Sequence, residues 1–175
     1  MKYLDLLGKP LKSDIVIGVL ECDDLDVIYS FDRLHENQPD QYWVASKAQG
    51  VQMRFNEDQT LDTLFFYIEP DEGFSPCERD ALGVPIFDSR DSARDYAAQS
   101  GLTVVEGEAD FLGVHRKWIK IDFGSHLHHS EFRGEKLHGM SAFLPPQAES
   151  GRDGRIAPAT PPTPPGMRLR TGRFQ

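Results

Sequence analysis

GVQMRFNEDQTLDTLFFYI, residues 50–68, decides the fold. Val51, Met53 and Phe55 alternate with Gln52, Arg54 and Asn56, the two-residue period of a strand with one buried face. Asn56, Glu57, Asp58 and Gln59 then supply turn chemistry. The following LDTLFFYI is apolar on both faces, as a strand inside a sheet is. Gly50 to Ile68 thus predicts a strand, a turn and a second strand.

The neighbouring segments extend this hairpin into an α+β domain. Downstream, EPDEGFSPCERDALGVP is rich in turn residues, and Pro70, Pro76 and Pro85 each disfavour helix at the preceding position, so an irregular connection is expected. A helix should start at Asp88 or Ser89, carry Asp91 in its first turn and stop at Gly101. LTVVEGEADF, VHRKWIKIDF, HLHHSEF and LHGMSAFL then read as strands joined by turns. Upstream, Ser13 is placed to cap a helix over DIVIGVLEC, weakened by Gly18, and VIYSF reads as a short strand. The expectation is a single domain over residues 1–146, with an antiparallel sheet of five to seven strands and two or three helices packed on one face. Residues 147–175, rich in Pro and Arg with few apolar positions, read as a flexible tail.

Charge separates the same two parts. Residues 1–147 hold 26 Asp and Glu against 14 Lys and Arg, a formal charge of −12, while residues 148–175 carry +3. An acidic body disfavours nucleic acid and anionic membrane, which are bound through Lys and Arg, and favours a cationic protein partner. No apolar run approaches the roughly 20 residues of a membrane-spanning helix. Met1-Lys2-Tyr3-Leu4-Asp5 lacks the apolar region of a signal peptide, so a cytoplasmic location is expected. Cys22 and Cys77 are too few for a disulfide framework and are read as reduced thiols.

Three acidic runs carry the candidate binding surface. They contribute Asp23, Asp24 and Asp26; Glu69, Asp71 and Glu72; and Glu106, Glu108 and Asp110, all read as loop residues at element ends. Gathered on one side, they would steer a cationic protein into contact, with Trp43 as an aromatic anchor. A second constellation lies among His115, His126, His128, His129 and His138. If Gly134 and Glu135 form the centre of a tight turn, His129, Glu131 and His138 share a strand face and form a two-His, one-carboxylate set able to hold zinc or iron. A solvated strand face is the simpler reading, and no metal or other cofactor is expected. Cys77 has no histidine tied to it in sequence, and neither CDDLD nor PDEGF has the alternating oxygen ligands of a calcium loop.

In the order of YLDLLGKPLKSDIV, GVQMRFNEDQTLDTLFFYI, ALGVPIFDSRDSARDY and WIKIDFGSHLHHSEFRGEKLHGMSAFL, the chain resembles immunity proteins of bacterial polymorphic toxins, of the pyocin-like and type VI secretion kinds. The pattern spans most of residues 3–144. It departs where Asp80, Ala81, Leu82 and Gly83 replace a Leu-Pro pair before Gly-Leu. The resemblance implies a cytoplasmic protein without catalytic residues that occludes a cognate toxin, here a basic nuclease. Two other classes stay open from the residues themselves: a metal-dependent hydrolase or lyase on the His126–His138 hairpin, and a secretion adaptor or chaperone acting through the tail.

Overall fold

A computed structural model describes residues 1–31, 38–111 and 113–146. Residues 32–37 and 112, and the segment 147–175 expected to be a flexible tail, lie outside the described residues. A short 3-10 turn, Tyr3–Leu6, leads to α1, Asp14–Cys22. Four strands follow: β1 Val27–Ser30, β2 Gln41–Ser46, β3 Val51–Phe55 and β4 Leu61–Tyr67. Helices α2, Arg79–Leu82, and α3, Arg90–Gln99, occupy the connection to a second set of four: β5 Thr103–Phe111, β6 Val114–Asp122, β7 Leu127–Arg133 and β8 Lys136–Phe143.

All eight strands form one antiparallel sheet in the order β1-β2-β3-β4-β8-β7-β6-β5. Each half is a meander, and the two meet through the pairing of Phe66 with Met140 and its neighbours. The α+β reading holds, with a correction: among the described residues there are eight strands, not five to seven. The strand absent from the sequence reading is β2. Its Tyr42, Trp43 and Val44 are consecutive apolar residues that hide the alternation.

The register sorts the side chains. Val44, Met53, Leu64, Ala142, His128 and Ile121 align in one row, and Val51, Phe66, Met140, Ser130 and Ile119 in another on the same face. The apolar members of these rows pack with Leu6, Val16, Val19, Leu82, Ala93 and Ala97 into one core, with His128 and Ser130 buried on the same face, so the helices cover a single face. Ser89 caps α3 by accepting from the Ser92 amide at 3.1 Å, as its sequence position predicts. Ser13 precedes α1 as predicted, but its hydroxyl donates back to the Pro10 carbonyl at 2.7 Å instead of capping the helix.

Gly50 locks the irregular connection to the sheet. Its φ is +66°, and a Cβ there would lie 2.2 Å from the Ser75 carbonyl oxygen and 2.7 Å from the Cys77 amide. The chain at 75–77 therefore runs directly over the β2–β3 turn, held by Ser75 donating to the Lys47 carbonyl at 2.8 Å and Cys77 to that of Tyr67 at 2.7 Å. The Cys77 thiol is buried, and burial pushes its pKa up to about 11. It is therefore protonated near neutral pH and is no nucleophile.

Candidate functional site

The three acidic runs do lie at one end of the sheet, where β1 begins and β4 and β5 end. They are spread across its width. Seven strand spacings of about 4.8 Å separate the β1 loop from β5 by roughly 34 Å. Glu106, Glu108 and Asp110 also correct the loop expectation, because all three are strand residues of β5. Glycine, alanine and acidic residues carry low strand propensity, but the nine-residue pairing with β6 overrides it.

Part of the acidic charge at this end is paired within the fold. Arg94 donates to Glu106 at 2.8 Å, Arg90 lies 3.7 Å from the same carboxylate, and these cations hold the Glu106 pKa below the ordinary range. His115 contacts Asp110 at 2.9 Å and Glu108 at 3.8 Å, and Lys117 pairs with Glu135 at 2.7 Å. By contrast, Asp23, Asp24, Asp26, Glu69 and Glu72 make no ion pair with another described residue. Asp24 and Glu72 hold left-handed turn positions, with φ of +49° and +50°. The α1–β1 loop and the turn after β4 therefore each carry carboxylates without an ion-pair partner among the described residues.

Asp71 has a different role from its neighbours Glu69 and Glu72. Its Oδ2 accepts from Arg133 at 2.8 Å and from His138 Nε2 at 2.8 Å. Arg133 Nε lies 3.5 Å from Glu131, which in turn accepts from Arg116 at 3.2 Å. Partial burial raises the Asp71 pKa, but the hydrogen bonds and charges of His138 and Arg133 outweigh it and leave the pKa lowered. This chain of alternating charges ties the turn after β4 to β6, β7 and β8 on the face away from the helices. Among the described residues no hydroxyl or thiol is hydrogen-bonded to His138.

The metal set is corrected by a bulge. The tight turn falls as read, with Arg133 opposite Lys136 and Phe132 opposite Leu137, but an irregularity between Glu131 and Phe132 puts Glu131 opposite Gly139. His138 is thereby released to reach Asp71. His129 stays opposite Ser141 and packs on Trp118, with centroids 5.8 Å apart. No group of three His, Cys, Asp or Glu side chains among the described residues is arranged to hold a metal ion.

His126 and His128 are not surface residues. Both are buried, with Phe123 stacked on His126 at 5.0 Å and Phe87 and Phe123 near 6 Å from His128. Burial lowers both pKa values, that of His128 to about 4. Phe87 and Phe123 also pack against Tyr96. Trp43, expected as an exposed anchor, is buried and stacked on Phe65 at 6.0 Å. The exposed aromatics among the described residues are instead Tyr29, Phe31 and Tyr96; Tyr29 and Phe31 stack on each other at 5.6 Å, with Tyr29 also stacked on Tyr42 at 5.1 Å. From its sequence VIYSF reads only as a strand, and its exposure depends on its edge position.

No family model, curated protein or solved structure matches the chain. No helix among the described residues is long and apolar enough to cross a membrane.

Proposed function

We propose that the chain is a cytoplasmic, non-catalytic binding protein that neutralises a cognate antibacterial toxin, the toxin being a cationic, nucleic-acid-cleaving domain. The observation that carries this reading is the pair of acidic turns at one end of the sheet, whose Asp23, Asp24, Asp26, Glu69 and Glu72 make no ion pair with another described residue, on a body of formal charge −12 over residues 1–147. Free negative potential held in fixed turns attracts a phosphate-binding surface, which must itself be rich in Lys and Arg. Occlusion requires surface complementarity and no bond-making groups. The Asp71, Arg133 and Glu131 ion-pair network ties one of those turns to the sheet.

The test is growth rescue. Each reading frame flanking the gene is expressed in a bacterial host, alone and with this chain. The expected result is that one frame arrests growth, that this chain relieves the arrest, and that the purified pair loses affinity between about 50 mM and 500 mM salt as the Debye length shrinks. Failure to relieve any arrest, or an affinity insensitive to salt, overturns the reading.

A further inference from the structure

An open sheet of eight strands leaves two edges, and this chain treats them differently. At one edge β5 carries Glu106, Glu108 and Asp110 in alternation, with α3 tied to it by Arg90 and Arg94. Charges along an edge and a covering helix are the usual protections against pairing with another chain. Among the described residues the other edge has neither. Strand β1 reads VIYS, pairs only with β2, and has no charged residue between Val27 and Phe31. Four of the ten exposed large apolar residues of the described chain fall in these five positions: Val27, Ile28, Tyr29 and Phe31, at 40%, 56%, 48% and 47% exposure. Such concentration on an unprotected edge marks an interaction surface.

The charge around that edge selects its occupant. Glu21, Asp23, Asp24 and Asp26 precede the strand, Asp40 accepts from the Tyr29 hydroxyl, and no Lys or Arg occurs among residues 21–31. A second copy of the chain would bring the same carboxylates against these. An extended segment flanked by Lys and Arg would instead satisfy both the free backbone groups and the acidic surround.

We propose that β1 is a docking edge for an extended segment of a cationic protein, which adds as a ninth strand beside Val27–Ser30. Alternate amides and carbonyls of β1 face outward and would bond the incoming backbone, while Ile28 and Tyr29, on opposite faces, would pack its side chains. This deepens the function proposed above and rests on it for the charge of the partner. The edge, not Trp43, then provides the apolar part of the contact.

The probe is a blocked synthetic peptide in which Val alternates with Thr between flanking Arg-Lys pairs, compared with the same peptide flanked by Glu. Amide hydrogen exchange on the full chain is followed residue by residue. The basic peptide should slow exchange at every second amide of Val27–Phe31 and leave Thr103–Phe111 unchanged, and the Glu-flanked peptide should bind at least about tenfold more weakly. Ile28→Lys, at an exposed position, should weaken binding of the basic peptide by about tenfold or more, and Asp26→Lys by a smaller, salt-dependent factor. Protection at β5, protection nowhere, equal binding of the two peptides, or a dimer of the free chain that buries β1 overturns the proposal. In the growth assay, full rescue by Ile28→Lys removes the docking edge and leaves the immunity reading. Peptide protection of β1 without any rescue by the unmodified chain does the reverse.

Discussion

Replacing His128 with Phe should flatten the acid sensitivity of the fold. The imidazole is 1% exposed, its Nδ1 has no hydrogen-bond partner, and its only polar contact is Ser130 Oγ at 3.3 Å from Nε2. Its pKa is lowered from 6.5 to about 4, by burial first and then by His126 and His129. Above pH 6.5 the group is neutral folded and unfolded, and contributes no pH dependence. As pH falls below 6.5 the unfolded chain takes up the proton and the folded one does not, so stability falls until about pH 4. At 1.36 kcal/mol per unit, that window is worth about 3 kcal/mol, a large part of the 5–15 kcal/mol that holds a domain together. His126 and His129, also lowered by burial, are present in both proteins, so the difference reads His128 together with its coupling to them. At pH 7 His128→Phe should lie within about 1 kcal/mol of the parent, because losing the Ser130 contact is offset by removing an unsatisfied nitrogen beside Phe87 and Phe123. Urea unfolding at pH 7, 5.5 and 4.5 measures both quantities. Equal slopes for parent and variant would refute the reasoning, since they would mean that His128 is protonated in the folded state.

Three further substitutions test the scaffold. Gly50→Ala should cost about 3 kcal/mol or more in denaturant unfolding, because a left-handed alanine adds to an overlap with backbone at Ser75 and Cys77 that no rotamer relieves. Gly107→Ala places a Cβ 2.6 Å from Trp118 Cζ2, so the indole must tilt, with about 1 kcal/mol lost and a shifted Trp118 fluorescence, while the buried Trp43 emission is unchanged. Asp71→Asn should cost about 1–2 kcal/mol at pH 7 by weakening the bonds from Arg133 and His138. The Asp71 pKa is lowered in the fold, so its contribution is present above the ordinary 3.8 and is lost as pH falls through the lowered value, and the two proteins should converge in acid.

What the sequence made legible is what local periodicity encodes. The Gly50–Ile68 hairpin, the Ser89 cap, the Arg133–Lys136 turn and the four later strands depend on neighbours a few residues away, and each falls where its pattern puts it. Three features depend on distant partners. His138 and Asp71 are 67 residues apart, and a single-residue bulge in β7–β8 decides whether His138 joins His129 or the turn after β4. Trp43 is buried because β2 is internal, a fact about strand order that its own segment does not contain. Glu106 reads as a loop acid, but α3 supplies the two arginines that let it remain on a strand.

In the proposed complex the acidic turns and the β1 edge would act on different steps of association. Carboxylates on solvated turns attract over a Debye length, so they raise the encounter rate and have little hold on the bound state. Backbone pairing and apolar contact along Val27–Phe31 operate only after the chains meet, and set how slowly they part. A protein that must intercept a toxin before it acts gains from both, and neither substitutes for the other. Asp26→Lys should therefore slow association and lose its effect in high salt, while Ile28→Lys should speed dissociation at every salt concentration. The placement of Asp26 two residues from Ile28, immediately before β1, lets one short segment serve both steps.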